Sequence, residues 1–410
     1  MSTTCKETPA FTDSEELRVK PATAPPAGVP FFTQAKSFDA RWPEIARHLH
    51  DVFDRGKFSH GRKVEELEQA IAGYTGARFA VAVNNGTDAL TLLLRAAGIG
   101  PGDEVVVPAF TFVASASSVA LARARPTFAD IDPDTYGIDP ASAEAAITPR
   151  TAGIMPVHLF TQMCDMEGVL QVAARHGITV LEDSAEAIGM RWDGRHAGLL
   201  GAGGVLSFFP TKTLGAIGDA GMIITDDPGI ADRAGTLRHH GRIGRTIDHI
   251  AGISNLSGAS GTNSKMDDLQ AAVLLAKLPH LDDDIATRAR LAEAYTARLT
   301  GVPGVRKTPR VVTRPVPTDS VFYVYLIEVD RRDDLVAHLT ARGIGTEVYY
   351  PIPLHTQPVF AELGYRQGRF PHAEAACRHA VGLPFHPDLS IDDVDRVCDA
   401  VREFYTGSAA

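Results

Sequence analysis

A chain of 410 residues exceeds the roughly 250–300 at which a single hydrophobic core stops growing, so two domains are expected. A hydrophobic share of 44%, a charged share of 22% and a net charge of −10 without a dense Lys/Arg block describe a globular protein and argue against nucleic-acid or membrane-surface partners. No apolar run approaches the roughly 18 residues of a membrane helix, and Cys5, Cys164, Cys377 and Cys398 lie far apart with no metal-ligand spacing, so a cytoplasmic protein without a metal centre is expected.

Residues 1–30 are polar and then rich in Pro and Ala, and read as a mobile N-terminal arm. From Trp42 to Ala72 the pattern is helical, with breaks at Gly56 and Gly61. Strand and helix then alternate. Phe79–Val83 is an apolar strand, and Asn84 to Asp88 caps a helix over Ala89–Ala97. Glu104–Pro108 is a strand, Thr111–Ala124 a helix, Thr127–Asp130 a strand, Pro140–Ile147 a helix and Gly153–His158 a strand. A helix over Asp165–His176, closed by Gly177, leads to a buried strand over Ile178–Glu182. This rhythm predicts a mainly parallel sheet with helices on both faces, whose ligands sit beyond the carboxyl ends of the strands.

Residues just after strands therefore carry the functional reading. Gly86 and Thr87 open a helix after the first strand, where backbone N–H groups and a hydroxyl can cradle a phosphate or simply cap the helix. Phe110 and Phe112 follow the strand ending at Pro108, placed either to stack on a ring or to pack in the core. Asp183, after the strand Ile178–Glu182, can hold a protonated ring nitrogen or be satisfied by nearby amides. Two apolar runs, Val205–Phe209 and Ala220–Thr225, enclose a glycine-rich segment with one lysine, Lys212. Desolvation there is expected to lower its pKa and leave an amine able to form a Schiff base; the alternative is an exposed turn lysine. Phosphate cradle, ring, aspartate and lysine in this order describe a site for pyridoxal 5′-phosphate (PLP). No GxGxxG opening a helix after a strand, GxxxxGK[ST] or HExxH competes with it.

The segments NNGTDALTLLLRAAGIGPGDEVVVPAFTFVASA, DIDPDTYGIDP, LEDSAEAIG, SFFPTKTLGAIGDAGMIIT, GTNSKMDDLQAAVL and YYPIPLHTQPVF carry a resemblance. From about Pro30 to Pro387 the chain resembles the DegT/DnrJ/EryC1/StrS family of PLP-dependent sugar aminotransferases, of fold type I. The resemblance implies a large α/β domain over residues 31–284, with a mainly parallel seven-stranded sheet, and a smaller α+β domain over 285–410. It implies roles for single residues too. Lys212 is the Schiff-base lysine and Asp183 the partner of the pyridine nitrogen; Phe112 stacks on the ring. Gly86, Thr87 and Ser207 bind phosphate, and Asn263 reaches the phosphate of the partner subunit in a homodimer. Tyr349 and His355 line the approach of the sugar nucleotide. Glu186 departs from the glutamine usual at its position; a carboxylate there would repel the ring's phenolate, which implies that it turns towards another partner.

The activity so implied is transfer of an amino group from L-glutamate to a nucleotide-linked 3- or 4-keto-deoxyhexose. The alternatives are a cyclitol aminotransferase of the scyllo-inosose type and a non-catalytic regulatory protein of the same fold.

Overall fold

The computed structural model describes residues 28–243 and 256–407. Most of the expected N-terminal arm, with Cys5, lies outside the described residues. Helices α1 (Ala35–Arg55) and α2 (Arg62–Thr75) come first, separated by Gly56, which ends α1 at φ 62°, and by Gly61, the N-cap of α2. The helix thus begins ahead of Trp42 and runs through Pro43.

The large sheet has seven strands: β1 (Phe79–Val83), β2 (Glu104–Pro108), β3 (Arg125–Ala129), β4 (Thr151–Ile154), β5 (Thr179–Asp183), β8 (Gly203–Ser207) and β9 (Gly221–Thr225). A two-residue hairpin, β6 (Arg191–Trp192) and β7 (Arg195–His196), intervenes. Their order across the sheet is β1-β9-β8-β5-β4-β2-β3, and β9 alone runs antiparallel to its neighbours. The α/β class expected from the sequence is therefore what the chain adopts. β4 stops at Ile154, shorter than the expected run to His158. Pro156, which has no N–H to give a ladder, follows it, and the chain rejoins the sheet only through a bridge between Val157 and Asp183.

Alternate side chains along each strand enter different cores, as the two-residue period of a strand requires. Val81, Val83, Leu181, Val205 and Ile223 join the core shared with helix α3 (Gly86–Ala96). Ala82, Leu206, Met222 and Ile224 join the core shared with α2 on the other face. Helices α4 (Ala114–Leu121) and α7 (Pro228–Leu237) pack beside α3, and α5 (Pro140–Ala145) packs against α6 (Met166–His176).

Helix α8 (Asp268–Lys277) lies on α1 and α2, and α9 (Leu281–Leu299) leads into a second, smaller unit. There an antiparallel sheet of β10 (Val305–Lys307), β11 (Tyr325–Val329) and β12 (Ala380–Leu383) packs with α9, α10 (Arg332–Ala341) and α12 (Ile391–Thr406); α11 (Pro371–His379) precedes β12. Its core holds Tyr295 stacked on Tyr325 at 4.7 Å, together with Val29 from the start of the described chain. A bridge from Val29 to Ile344, in the segment after α10, fixes that entry, so the chain passes from the small unit into α1 before the large sheet begins.

Candidate active site

Four chain segments converge at the carboxyl ends of the parallel strands. After β1, Asn85 caps α3: its side-chain oxygen accepts from the Asp88 amide at 2.8 Å, leaving Gly86 as the first helical residue. The capping reading and the cradle reading hold together, because a cap fills one orphan donor of the first turn and leaves others free. A Cβ at Gly86 would lie 3.1 Å from that of Ser207, at the end of β8, and one at Gly221 would lie 2.5 Å from the Asn85 carbonyl. Two glycines thus let the helix start, β8 and β9 close on one another, with Thr87 half-buried beside them.

Asp183 ends β5 and is 4% exposed. Its carboxylate accepts from Ser115 Oγ at 2.7 Å and from the Ala185 amide at 3.2 Å, and Ser115 in turn meets Thr111 Oγ1 at 3.1 Å. Burial raises its pKa against the lowering by these two bonds and by the Lys212 charge. A buried carboxylate whose direct partners are neutral suits a cationic ring nitrogen, and in this respect the residues fit PLP.

Lys212 lies in the connection from β8 to β9. Its Nζ donates to Glu186 Oε1 at 3.1 Å and sits 4.2 Å from the centre of the Tyr323 ring. Here the structure corrects the sequence expectation. Burial does press the lysine pKa down, but the Glu186 carboxylate foremost, then Tyr323 and Asp183, outweigh it and raise the amine above its usual value. In the cofactor-free chain the lysine is an ammonium held by Glu186. The other Glu186 oxygen accepts from the Phe160 amide at 3.0 Å, which is where this carboxylate turns.

Glu186→Gln should therefore release the ammonium and speed PLP capture at neutral pH, by roughly tenfold for each pKa unit removed. Followed as borohydride-trappable label against pH, capture should shift to lower pH; an unmoved curve contradicts the assignment.

The two phenylalanines divide. Phe110 is 1% exposed and belongs to the core, whereas Phe112 is 57% exposed, with its ring 6.2 Å from Tyr350. Phe112 is thus free to face a planar ligand. Tyr349 is half-buried, between the rings of Phe31 at 6.2 Å and Phe160 at 5.7 Å.

Two other expected residues are not in this cluster. His355 is 1% exposed, with Nε2 3.2 Å from Glu374 and its ring edge-on to Phe370. It is closed to a ligand here, and burial, opposed by Glu374, lowers its pKa. Asn263 is exposed and accepts from Lys265. Its loop is pinned to its own chain, since Ser264 donates to Asp88 at 2.6 Å and accepts from the Asn84 amide. The sequence reading missed Ser115 and Tyr323; a serine four residues after Thr111, on the helix after β2, was the only local signal of the former.

Fold and site together define a PLP-dependent transferase of fold type I, and in particular an aminotransferase. The chain belongs to the DegT/DnrJ/EryC1/StrS aminotransferase family, whose model matches residues 41–402. It is 44% identical to a pleiotropic regulatory protein of Geobacillus stearothermophilus, over 92% of this chain and 98% of that one. It is 39% identical to the dTDP-3-amino-3,4,6-trideoxy-alpha-D-glucose transaminase of Streptomyces venezuelae, over 92% and 96%. The crystal structure of S. venezuelae DesV in complex with a ketimine intermediate superposes with a TM-score of 0.86, at 39% identity, covering 92% of this chain and 99% of that chain. Among the described residues no helix is long and apolar enough to cross a membrane.

Proposed function

We propose that this chain moves an amino group from L-glutamate to a nucleotide-linked 3- or 4-keto-deoxyhexose in the cytoplasm, as one step in making an amino sugar. The observation that carries this reading is the Lys212 amine, set among Glu186, Tyr323 and Asp183, in a chain similar to a dTDP-sugar transaminase. PLP, when bound, supplies an electron sink for the carbanion at the amino-bearing carbon.

The protein's part is to hold and to move protons. With PLP bound, Gly86, Thr87 and Ser207 would hold the phosphate, Asp183 would keep the ring nitrogen charged, and Phe112 would cover one face. Lys212 would anchor the aldehyde. As a free amine it would hold and move the proton at the donor's amino-bearing carbon, a general acid–base role. Glu186, 3.1 Å from that amine, holds the lysine near its work while it is free. Tyr349 would line the approach of the sugar. The large unit over residues 31–284 and the small one over 285–410 enclose the site between them. Two copies form a homodimer in which Asn263 serves the partner's phosphate; the exposure of Asn263 and Phe112 in the single chain supports this.

The test is a panel of keto-sugar nucleotides and scyllo-inosose, with L-glutamate as donor and 2-oxoglutarate as the measured product, on protein sized by light scattering. Turnover with a keto-sugar nucleotide by a dimer is expected. Turnover confined to scyllo-inosose selects the cyclitol reading, and a monomer at full activity removes the shared site. The likeness to a regulatory protein favours a second reading, a sensor that keeps the cofactor. It predicts PLP binding with no turnover on any member of the panel.

A further inference from the structure

Outside the cofactor cradle, a buried cluster grips the turn that carries Lys212. Lys277, at the end of α8, is 5% exposed, and its Nζ donates to the Gly215 carbonyl and to Gln34 Oε1, each at 2.5 Å. The Gln34 amide nitrogen in turn donates to the Pro210 carbonyl. Pro210 and Gly215 lie on either side of Lys212, whose own amide closes the turn on the Phe209 carbonyl at 2.8 Å. One connected pair, drawn from two distant parts of the chain, thus holds both shoulders of the turn.

The amine at Lys277 is expensive to bury. Four charged groups face it: Arg41 and Arg288 repel it, while Asp284 and Asp388 attract it. Asp284 is already taken by both terminal nitrogens of Arg41, at 2.9 and 2.7 Å, and Asp388 by the amides of Lys36 and Ser37. Among the described residues no carboxylate makes an ion pair with Lys277. Burial foremost, then the Arg41 charge, draws its pKa down to about 8. An apolar side chain would fill the same volume without the desolvation cost, but would donate to neither oxygen.

We propose that Lys277 and Gln34 are positioning residues that fix the turn from Pro210 to Gly215, so that the Lys212 amine meets the cofactor's aldehyde in the right orientation. The inference rests on the family's PLP chemistry and on no particular acceptor, so it stands or falls apart from the proposed sugar substrate.

The test uses full-length protein freed of cofactor, as Lys277→Met, Gln34→Ala and the double variant. Two quantities are read: the rate of borohydride-trappable PLP labelling at Lys212, and the affinity for pyridoxamine 5′-phosphate, which fills the cradle without bonding to the lysine. Loss of a charge-assisted bond at Lys277→Met should slow labelling by about tenfold while leaving pyridoxamine 5′-phosphate affinity within about twofold. The double variant should be slower than Lys277→Met by less than the factor for Gln34→Ala alone, because the two side chains act through one another. Labelling at the wild-type rate overturns the proposal, and so does an equal loss in labelling and in pyridoxamine 5′-phosphate affinity, which would mean a damaged cradle. Should Lys277→Met fail to fold, Gln34→Ala carries the same split on a half-buried residue, with slowing of about threefold.

Discussion

Lys212→Ala is expected to fold, to bind PLP without a covalent link and to lose transamination by about 10⁴-fold or more, because the cofactor's anchor and the proton carrier vanish together. Folding survives because Glu186, left without its cation, still accepts from the Phe160 amide. Three measurements define the result. The visible absorption of the lysine-bound cofactor should be absent, the melting temperature should stay near that of the cofactor-free wild type, and borohydride should no longer fix label to the chain. In the wild type the label should map to Lys212. Label on Lys265 or Lys57 would overturn the assignment.

Asp183→Asn carries the second-largest effect. The asparagine can keep both neighbours, its oxygen accepting from the Ala185 amide and its nitrogen donating to Ser115 Oγ, so shape is retained while charge is lost. Without that charge the ring nitrogen is not held protonated, and turnover should fall roughly 10³-fold.

A second readout is independent of turnover. Burial raises the Asp183 pKa in the folded, cofactor-free chain. The sign follows: at pH above that raised value the carboxylate is charged in the folded state at a cost to stability, and below the unfolded value the cost is absent. A cationic ring nitrogen relieves that cost, so PLP should raise the melting temperature of the wild type more than that of Asp183→Asn at neutral pH. Equal shifts in the two proteins would refute the pairing.

The candidate residues could be named before the fold for a reason that lies in the sheet. In a parallel sheet the strand ends gather on one edge, so Gly86, Phe112, Asp183 and Lys212 needed only correct strand boundaries to be read as one group, whereas Ser207 came only from the family resemblance. What escaped reading depends on contacts between segments far apart in the chain. Nothing near Tyr323 says that its ring will lie against Lys212, and nothing near Lys277 says that its amine will reach Gly215. The lysine's titration was read with the wrong sign for the same reason. Desolvation is a local expectation for a lysine between apolar runs, whereas the carboxylate that outweighs it is supplied by the loop after β5. His355 shows the limit of motif position: Glu374 and Phe370 close over it, and both lie outside the motif that marked it.

The grip on the Lys212 turn also sets an order of events during synthesis. Gln34 leaves the ribosome early, but its partner across the turn, Lys277, is 243 residues later, and Tyr323 is 112 residues beyond Thr211, whose hydroxyl it meets at 3.2 Å. Closing loops of that length is slow and waits for the distal segment to emerge. A nascent chain that ends short of Lys277 therefore carries Lys212 on a turn that neither Gln34 nor Lys277 yet holds at both shoulders.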